Sequence, residues 1–229
     1  MHSHFLNSKA EARPSPHNEP MSSLTHLIAV GLSIAGLVLL VVYGALNGRA
    51  SHVVGFSIYG ASLILLYLSS TLYHYFSIHG RAKRVFKRID HAMIHVLIAG
   101  TYTPIALTFP RPGWGWSLFG VIWGLALIGF LIKIWGLAVK EWISVLLYLV
   151  MGWIIVIVFS PVLTSLPRDG MIWLVGGGFL YTLGTVFYAL EKVVPRTKWF
   201  GMHEVFHLFV MAGSFSHFWF MFRYLVYFS

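Results

Sequence analysis

Two pairs of polar residues in this sequence have the spacing needed to build a metal site. His203 and His207 are four residues apart, which on a helix places both imidazoles on one face with Cβ atoms about 5–6 Å apart. Ser70 and His74 have the same spacing. A third histidine from another helix would complete three neutral nitrogen ligands, a set that zinc prefers. An open fourth position would mark a catalytic site, and iron, cobalt and nickel are the alternatives to zinc.

The pair His203 and His207 also lies within a protease-like motif. The segment His203-Glu204-Val205-Phe206-His207 fits H-E-x-x-H, in which the glutamate is the general base of a metalloprotease. Intramembrane metalloproteases place an acidic third ligand downstream of this motif, whereas no acidic residue follows Glu204 here. An intramembrane metalloprotease is therefore a minor alternative.

The composition indicates that the elements carrying these residues lie in a lipid bilayer. Of 229 residues, 58% are hydrophobic and only 10% are charged, whereas a soluble domain carries roughly 25% charged residues. The 16 basic and 7 acidic residues are too few to form the polar surface of a globule. The sequence therefore predicts an all-α integral membrane protein with no nucleic-acid partner. Cysteine is absent, which excludes disulfides and thiolate metal sites.

Seven apolar segments are long enough, at 1.5 Å per residue, to cross a hydrocarbon core about 30 Å thick. We predict helices at 24–46, 53–76, 91–109, 114–132, 142–163, 171–190 and 203–222. The loops between them are too short for a soluble domain, so residues 21–229 are expected to form one seven-helix transmembrane bundle. Residues 1–20 are polar, lack the apolar segment of a signal peptide and predict a flexible cytosolic tail.

The basic residues predict the orientation of this bundle. Twelve of the sixteen lysines and arginines lie in the tail and in segments 77–90, 133–141 and 191–202, all on one side of seven spans. Because basic residues stay in the cytoplasm, the N-terminus is predicted inside and the C-terminus outside. The expected location is the plasma or inner membrane, which the chain would cross several times.

This topology brings the candidate residues to one depth. His74 closes the second span, Asp90 precedes the third, and His203 and His207 begin the seventh, all at the predicted cytoplasmic end. The topology assignment uses none of these residues, so their agreement in depth favours a shared site. His217 lies ten residues past His207, about 15 Å deeper, which is too far to bind the same metal.

Three blocks of the sequence together resemble the hemolysin III family. They are Ser70-x-x-x-His74, then Asp90-His91-Ala92 with Ala99-Gly100-Thr101-Tyr102-Thr103-Pro104, then His203-x-x-x-His207 with His217. That family belongs to the progestin and adipoQ receptor group, which includes the adiponectin receptors, and it is distantly similar to the alkaline ceramidases. The resemblance runs from about Glu19 to His217 and implies a seven-helix bundle with a cytoplasmic N-terminus.

The resemblance also implies roles for single residues. His74, His203 and His207 match the family's three zinc-ligand histidines. Asp90 matches the acidic residue near the zinc-bound water, and Ser70 matches the serine one turn from the first ligand. The resemblance assigns no role to five further polar residues: Glu19, His26, His95, Glu204 and His217.

These parts predict a hydrolase. Zinc held by three neutral histidines lowers the pKa of bound water toward about 7, and Asp90 would act as general acid–base with Ser70 hydrogen-bonded nearby. The expected reaction is hydrolysis of a ceramide-like or related lipid acyl bond. The main alternative is a non-enzymatic regulator or sensor of membrane fluidity and energetics, with Asp90 as fourth ligand of a structural zinc. A pore-forming cytolysin is less favoured because the spans are apolar on every face.

Five basic residues next to the predicted site form a candidate lipid-binding segment. They are Arg81, Lys83, Arg84, Lys87 and Arg88. Topological anchoring explains them on its own. The functional interpretation is that they attract anionic lipid headgroups, at about 1 kcal/mol for each basic residue.

Overall fold

A computed structural model describes residues 19–76, 80–155, 166–197 and 200–227. Within them the chain forms seven α-helices, a short 3₁₀ helix and no strand. The α-helices are α1 (Pro20–Asn47), α2 (Ala50–Tyr75), α3 (Gly80–Thr108), α4 (Pro112–Trp135), α5 (Glu141–Trp153), α6 (Arg168–Leu190) and α7 (Met202–Arg223), and the 3₁₀ helix is Leu225–Tyr227. The all-α class is confirmed. Most of the predicted tail (1–18) and residues 156–163 of the predicted fifth span lie outside the described residues.

Five helices are long and apolar enough to cross a bilayer. They are α1, α2, α4, α6 and the segment Met202–Tyr227 that contains α7. Their outward-facing side chains are largely apolar and exposed, Leu32 of α1 and Ile172 of α6 among them, as a lipid-facing surface requires. A membrane helical bundle accounts for these features. The count of seven spans and the orientation of the bundle stay predictions.

The prediction that residues 77–90 form a loop is wrong from Gly80 onward. α3 begins at Gly80 rather than at 91, so the basic segment is helical and continuous with the apolar part of the helix. Its arginines, lysines and alanine are good helix formers, and no proline interrupts them. Hydropathy detects only the apolar part of such a helix. It therefore does not identify the polar first turns of α3 as helical.

Two glycines let α2 and α3 approach closely. A Cβ on Gly55 would lie 2.7 Å from the Cα of Pro104, and a Cβ on Gly100 would lie 2.2 Å from the Oγ of Ser62. Neither position has room for a side chain. The motif that contains Gly100 and Pro104 therefore has a packing role, and this contact holds α2 closely against α3.

Polar contacts pair the helix ends at one end of the bundle, which we call the site end. There the backbone N–H of Glu19 donates to the carbonyl of His74 at 3.4 Å, joining the start of α1 to the end of α2. At the opposite end, the hydroxyls of Tyr43 and Tyr227 lie 2.5 Å apart. α1 therefore begins at the site end, and α7 leads to the opposite end.

Candidate metal centre

Three histidines come together at the site end. His74 lies in the last turn of α2, and His203 and His207 lie in the first two turns of α7. One ring nitrogen from each lies within 4.8 Å of the other two. His74 and His207 are almost fully buried, and His203 is mostly buried. The structure thus brings together the three histidines that the sequence analysis expects to bind a metal.

The spacing of two of these nitrogens fits a shared cation. The Nε2 atoms of His74 and His203 are 3.3 Å apart. Two ligands of a tetrahedral zinc ion, each about 2.0–2.1 Å from the metal, lie about 3.3–3.4 Å from each other.

Carboxylates orient two of the imidazoles. The Nδ1–H of His74 donates to Oε2 of Glu19 at 2.5 Å, and the Nδ1–H of His203 donates to Oε2 of Glu191 at 2.9 Å. A histidine that donates from Nδ1 keeps the lone pair on Nε2, the tautomer that a metal ligand needs. As neutral imidazoles, both rings therefore present an unprotonated Nε2 to the cluster.

A threonine orients the third imidazole. The Oγ1 of Thr25 donates its own proton to the carbonyl of Ser22 at 2.9 Å and lies 3.3 Å from Nδ1 of His207. Since that hydroxyl proton is already used, Thr25 accepts from the Nδ1–H of His207. All three rings then share one tautomer, and the donor set fits a metal ion.

An ion-pair chain holds Glu19 in place. Arg196 donates to Oε1 of Glu19 at 3.0 Å and to Oε1 of Glu204 at 2.5 Å. Burial alone would raise the pKa of Glu19, but the hydrogen bond from His74 and the charges of His203 and Arg196 lower it to about 2. Glu19 is thus an anion at neutral pH and a strong acceptor for His74.

Glu204 is a structural anchor. Its side chain is fully buried and accepts from Oγ of Ser22 at 2.7 Å and from the backbone N–H of Gly201 at 2.7 Å, in addition to Arg196. These three donors engage both carboxylate oxygens and tie the start of α7 to α1. Because its oxygens are already engaged, the Glu204 carboxylate is poorly suited to act as the general base of an H-E-x-x-H protease.

Asp90 and Ser70 lie beside the histidine cluster. Both side chains are buried, and the Ser70 hydroxyl interacts with the Asp90 carboxyl across the contact between α2 and α3. Asp90 also lies close enough to His203 for their charges to interact. Among the described residues, however, only the three histidines bring ligand atoms together, and Asp90 is not one of that group.

A cavity of about 170 Å³ extends from the cluster into the bundle. Ser70, Asp90, His203 and His207 line its polar part, and apolar side chains from α3, α5 and α6 line most of the rest. His217 also faces this cavity, and its Nε2 donates to the carbonyl of Leu174 at 3.1 Å. It therefore lines the cavity without joining the cluster, as its depth suggests.

Sequence reasoning missed the residues that support the cluster. Glu19, Thr25 and Glu191 hold its rings, and His26 stacks on His207 with ring centroids 3.6 Å apart and planes 12° apart. No spacing pattern links them to the ligands. The rarity of acidic residues in the sequence was the available signal. Five of the seven lie at the site end: Glu19, Asp90, Glu141, Glu191 and Glu204.

Comparison with known proteins shows the family of this chain. Residues 15–218 match the family described as haemolysin-III related. The chain belongs to that family. This haemolysin-III-related chain is 40% identical over 198 residues to Hemolysin-3 of Bacillus cereus, covering 86% of each chain. It is 41% identical over 196 residues to the Hemolysin-3 homolog of Bacillus subtilis (strain 168), covering 86% of this chain and 89% of the relative.

The chain is also similar to a more distant relative. The monocyte to macrophage differentiation factor of Homo sapiens is 27% identical over 232 residues, covering 96% of this chain and 92% of the relative. The resemblance to the hemolysin III family and to its adiponectin-receptor-like group is thereby confirmed. The chain is an integral membrane protein, as its composition predicts. The distant similarity to alkaline ceramidases stays a prediction.

Proposed function

We propose that this protein is a zinc-dependent hydrolase that cleaves the acyl bonds of membrane lipids, with ceramide-like amides as the leading substrate class. One observation carries the proposal: three histidine nitrogens converge beside a cavity, with no fourth protein ligand among the described residues. Structural zinc is usually closed by four protein ligands, whereas catalytic zinc keeps one position open. An open site that faces a cavity favours catalysis over a structural role.

Zinc is the metal that best suits the donor set. Three neutral imidazoles and no cysteine favour zinc over magnesium or calcium, which prefer oxygen ligands. His74, His203 and His207 would hold the ion, and the partners of their Nδ1 atoms would keep the rings in place. When bound, zinc supplies a Lewis acid that activates water near neutral pH and polarises a carbonyl.

Asp90 and Ser70 supply the proton chemistry in this proposal. Hydrolysis breaks the acyl C–N or C–O bond, adds hydroxyl to the acyl carbon and returns a proton to the leaving amine or alcohol. In this proposal the Asp90 carboxylate, which lines the cavity, takes a proton from the attacking water and gives it to the leaving group. The Ser70 hydroxyl positions that carboxylate through their mutual contact.

The cavity suits a lipid substrate. Its apolar lining can surround a hydrocarbon chain, while its polar end presents Asp90 and the histidines to the linkage at the end of that chain. A low-dielectric wall also strengthens the charge interactions at the polar end. In this proposal the scissile bond lies near the site end, which the basic residues predict to be cytoplasmic.

The deciding experiment replaces Asp90 by asparagine. Asp90→Asn keeps the shape and one hydrogen-bonding oxygen but removes the base. We expect zinc to stay bound while hydrolysis of a fluorescent ceramide falls by about 10²–10⁴-fold, the usual contribution of a general acid–base. Zinc content and initial rate are measured on the same preparations. Asp169→Asn is the matched control, because Asp169 is exposed in the first turn of α6 and should change neither quantity.

Other outcomes identify the alternatives. Loss of zinc in Asp90→Asn would make Asp90 a ligand of a closed structural site. Wild-type protein that holds zinc but hydrolyses no ceramide, phospholipid or acyl ester would contradict the hydrolase proposal. It would favour the regulator or sensor of membrane fluidity and energetics. Glu204→Gln tests the protease interpretation, under which proteolysis vanishes. Our proposal expects folded Glu204→Gln protein to keep measurable lipid turnover, reduced only as far as the ion pair of Glu204 with Arg196 supports the histidine cluster.

The helical basic segment of α3 is a second proposed contact, with anionic lipid headgroups. Arg81, Arg84 and Lys87 are exposed there. The other two basic residues are used within the protein: Lys83 donates to the carbonyl of Tyr73 at 2.6 Å, and the Arg88 guanidinium packs against Gly136. Three cations on one surface near the predicted membrane boundary suit a phosphate-bearing surface.

This contact is tested by replacing Arg81, Arg84 and Lys87 together with glutamine in protein reconstituted with spin-labelled phosphatidylglycerol. The immobilised lipid fraction is expected to fall, since each exposed basic residue contributes about 1 kcal/mol near an anionic surface. The control replaces three exposed arginines of the opposite end by glutamine: Arg111, Arg168 and Arg223. Equal immobilisation in the first variant and the wild type would contradict the contact.

A further inference from the structure

Lys133 is a partly buried cation that lines the cavity. It lies in the last turn of α4, at the site end, and its Nζ donates to the Oγ of Ser144 in α5 at 2.6 Å. It forms no ion pair with a carboxylate of the described residues. A hydroxyl group accepts only one of the three ammonium protons and does not neutralise the charge. Lys133 therefore keeps a positive charge and two donors for another group.

The contact with Ser144 holds this ammonium group at the cavity wall. A lysine near the end of a membrane helix ordinarily extends its charged group to water. Here the acceptor is a buried serine that itself lines the cavity. The hydrogen bond joins α4 to α5, and it also keeps the charge inside the protein, where extension to water would otherwise be expected.

The charges around Lys133 do not cancel its own. Glu141 lines the same cavity and is close enough to attract Lys133, but its two oxygens accept from the Tyr188 hydroxyl and the Lys192 ammonium group. Lys87 of the basic segment is a second cation close enough to act on Lys133, and it too lacks a carboxylate partner within the described ranges. Excess positive charge at the wall of a low-dielectric cavity favours an anion there.

We propose that Lys133, held by Ser144, binds the anionic headgroup of the lipid in the cavity and makes the protein selective for lipids that carry a phosphate. The inference rests on the proposed lipid hydrolase and narrows its substrate class. A phosphate presents several acceptor oxygens and a negative charge, which match a cation that has free donors. Hydrolysis also yields a fatty-acid carboxylate, but that group forms at the histidine cluster, so the headgroup is the anion favoured beside α4.

The test compares ceramide with ceramide phosphate, both carrying the same fluorinated octanoyl chain, so that only the headgroup differs. Their affinities are measured by ¹⁹F NMR in uncharged detergent with zinc-loaded Asp90→Asn protein as the parent, in which turnover is slow. We expect the parent to bind ceramide phosphate about 10–100-fold more tightly, the effect of one charge-assisted hydrogen bond. Lys133→Met keeps the length of the side chain and removes its charge, so the ratio of the two affinities should fall toward one while zinc content is unchanged.

Lys140 provides the matched control. It lies in the same connection between α4 and α5, but it is exposed and is not among the residues that line the cavity. Lys140→Met should leave the preference for ceramide phosphate unchanged. A similar loss of preference in both variants would assign the effect to the overall charge of this end and overturn the proposal.

Ser144→Ala tests the positioning of the ammonium group. It keeps the charge of Lys133 but removes the acceptor that holds it, so the preference for ceramide phosphate should fall severalfold. Lys133→Arg, which keeps a cation at the wall, should retain most of the preference. These two variants decide the matter if Lys133→Met does not fold: an unchanged ratio in Ser144→Ala or a ratio near one in Lys133→Arg would then reject the proposal.

Several other results would reject the role of Lys133. They are an unchanged ratio in Lys133→Met, a parent without preference for ceramide phosphate, and a parent that binds neither probe. The fluorinated octanoic acid is a third probe. If its binding depends on Lys133 and that of ceramide phosphate does not, the site holds the released acid and the headgroup assignment is wrong. No turnover is measured, so a wild type without hydrolysis refutes the hydrolase and leaves this test intact.

Discussion

Each histidine of the cluster has one nitrogen that faces the other rings and one that is held by an oxygen. For His203 that oxygen belongs to Glu191, a side chain 42% exposed at the end of α6. An acceptor on Nδ1 fixes the tautomer and the direction of the ring, and it makes Nε2 a better donor to a metal. Metal affinity should therefore depend on residues that never touch the metal.

Removing one of these acceptors gives a direct prediction. Glu191→Ala should lower zinc affinity by about 10–100-fold, because His203 loses its orienting partner. Glu141→Ala is the control: its side chain is 41% exposed at the same end but pairs with Lys192 rather than with a histidine. Competition with a chromophoric chelator measures both affinities. Equal zinc affinity in the two variants would show that the Glu191 contact does not orient a ligand.

The grouping of the three histidines could be predicted from the sequence, but the partners of their rings could not. The helical spacing of His203 and His207 indicates a shared site, and the predicted topology brings His74 and Asp90 to the same depth. The contact of Glu19 with His74 spans 55 residues, and that of Thr25 with His207 spans 182. Contacts across such separations follow from packing of whole helices and leave no local pattern.

At the scale of the elements, the relation of α2 to α3 decides whether Ser70 can meet Asp90. The two helices touch at Gly55 and Gly100, where backbone and side chain of the neighbouring helix fill the space of a Cβ. The apolar lengths of both helices were predictable from hydropathy. The polar beginning of α3 was not, since its arginines and lysines carry a helix-forming preference but no hydropathy signal.

A methyl group at this contact should separate the helices. Gly55→Ala places a carbon 2.7 Å from Pro104, and overpacking of this kind costs about 1–3 kcal/mol. We expect the midpoint of thermal unfolding in detergent to fall by several degrees, with a parallel loss of lipid turnover. Gly124→Ala in α4 should be neutral or slightly stabilising, because nothing lies within 4 Å of its Cβ. A Gly55→Ala protein as stable as wild type would contradict the close approach.

For the whole molecule, the lack of cysteine makes the predicted orientation easy to test. Asn47→Cys lies at the last residue of α1, next to the turn into α2, and Arg84→Cys lies in the basic segment of α3. In intact cells a membrane-impermeant maleimide should label Asn47→Cys and leave Arg84→Cys unlabelled until the cells are broken. The wild-type chain is the blank, as it has no thiol. The reverse labelling pattern would show that the bundle has the opposite orientation, with the histidine cluster at the outer side of the membrane.

The ion-pair chain through Arg196 makes the start of α1 and the metal centre depend on each other. Glu19 immediately precedes α1, binds His74 and is held by Arg196, which in turn is held by buried Glu204. Since linkage is reciprocal, any ion that steadies His74 also steadies the first turn of α1, and fraying of that turn weakens the hold on the ion. Faster hydrogen exchange of the first α1 amides after chelation would reveal this reciprocity, and unchanged exchange would refute it. The N-terminal end of the bundle would then report whether the centre is loaded.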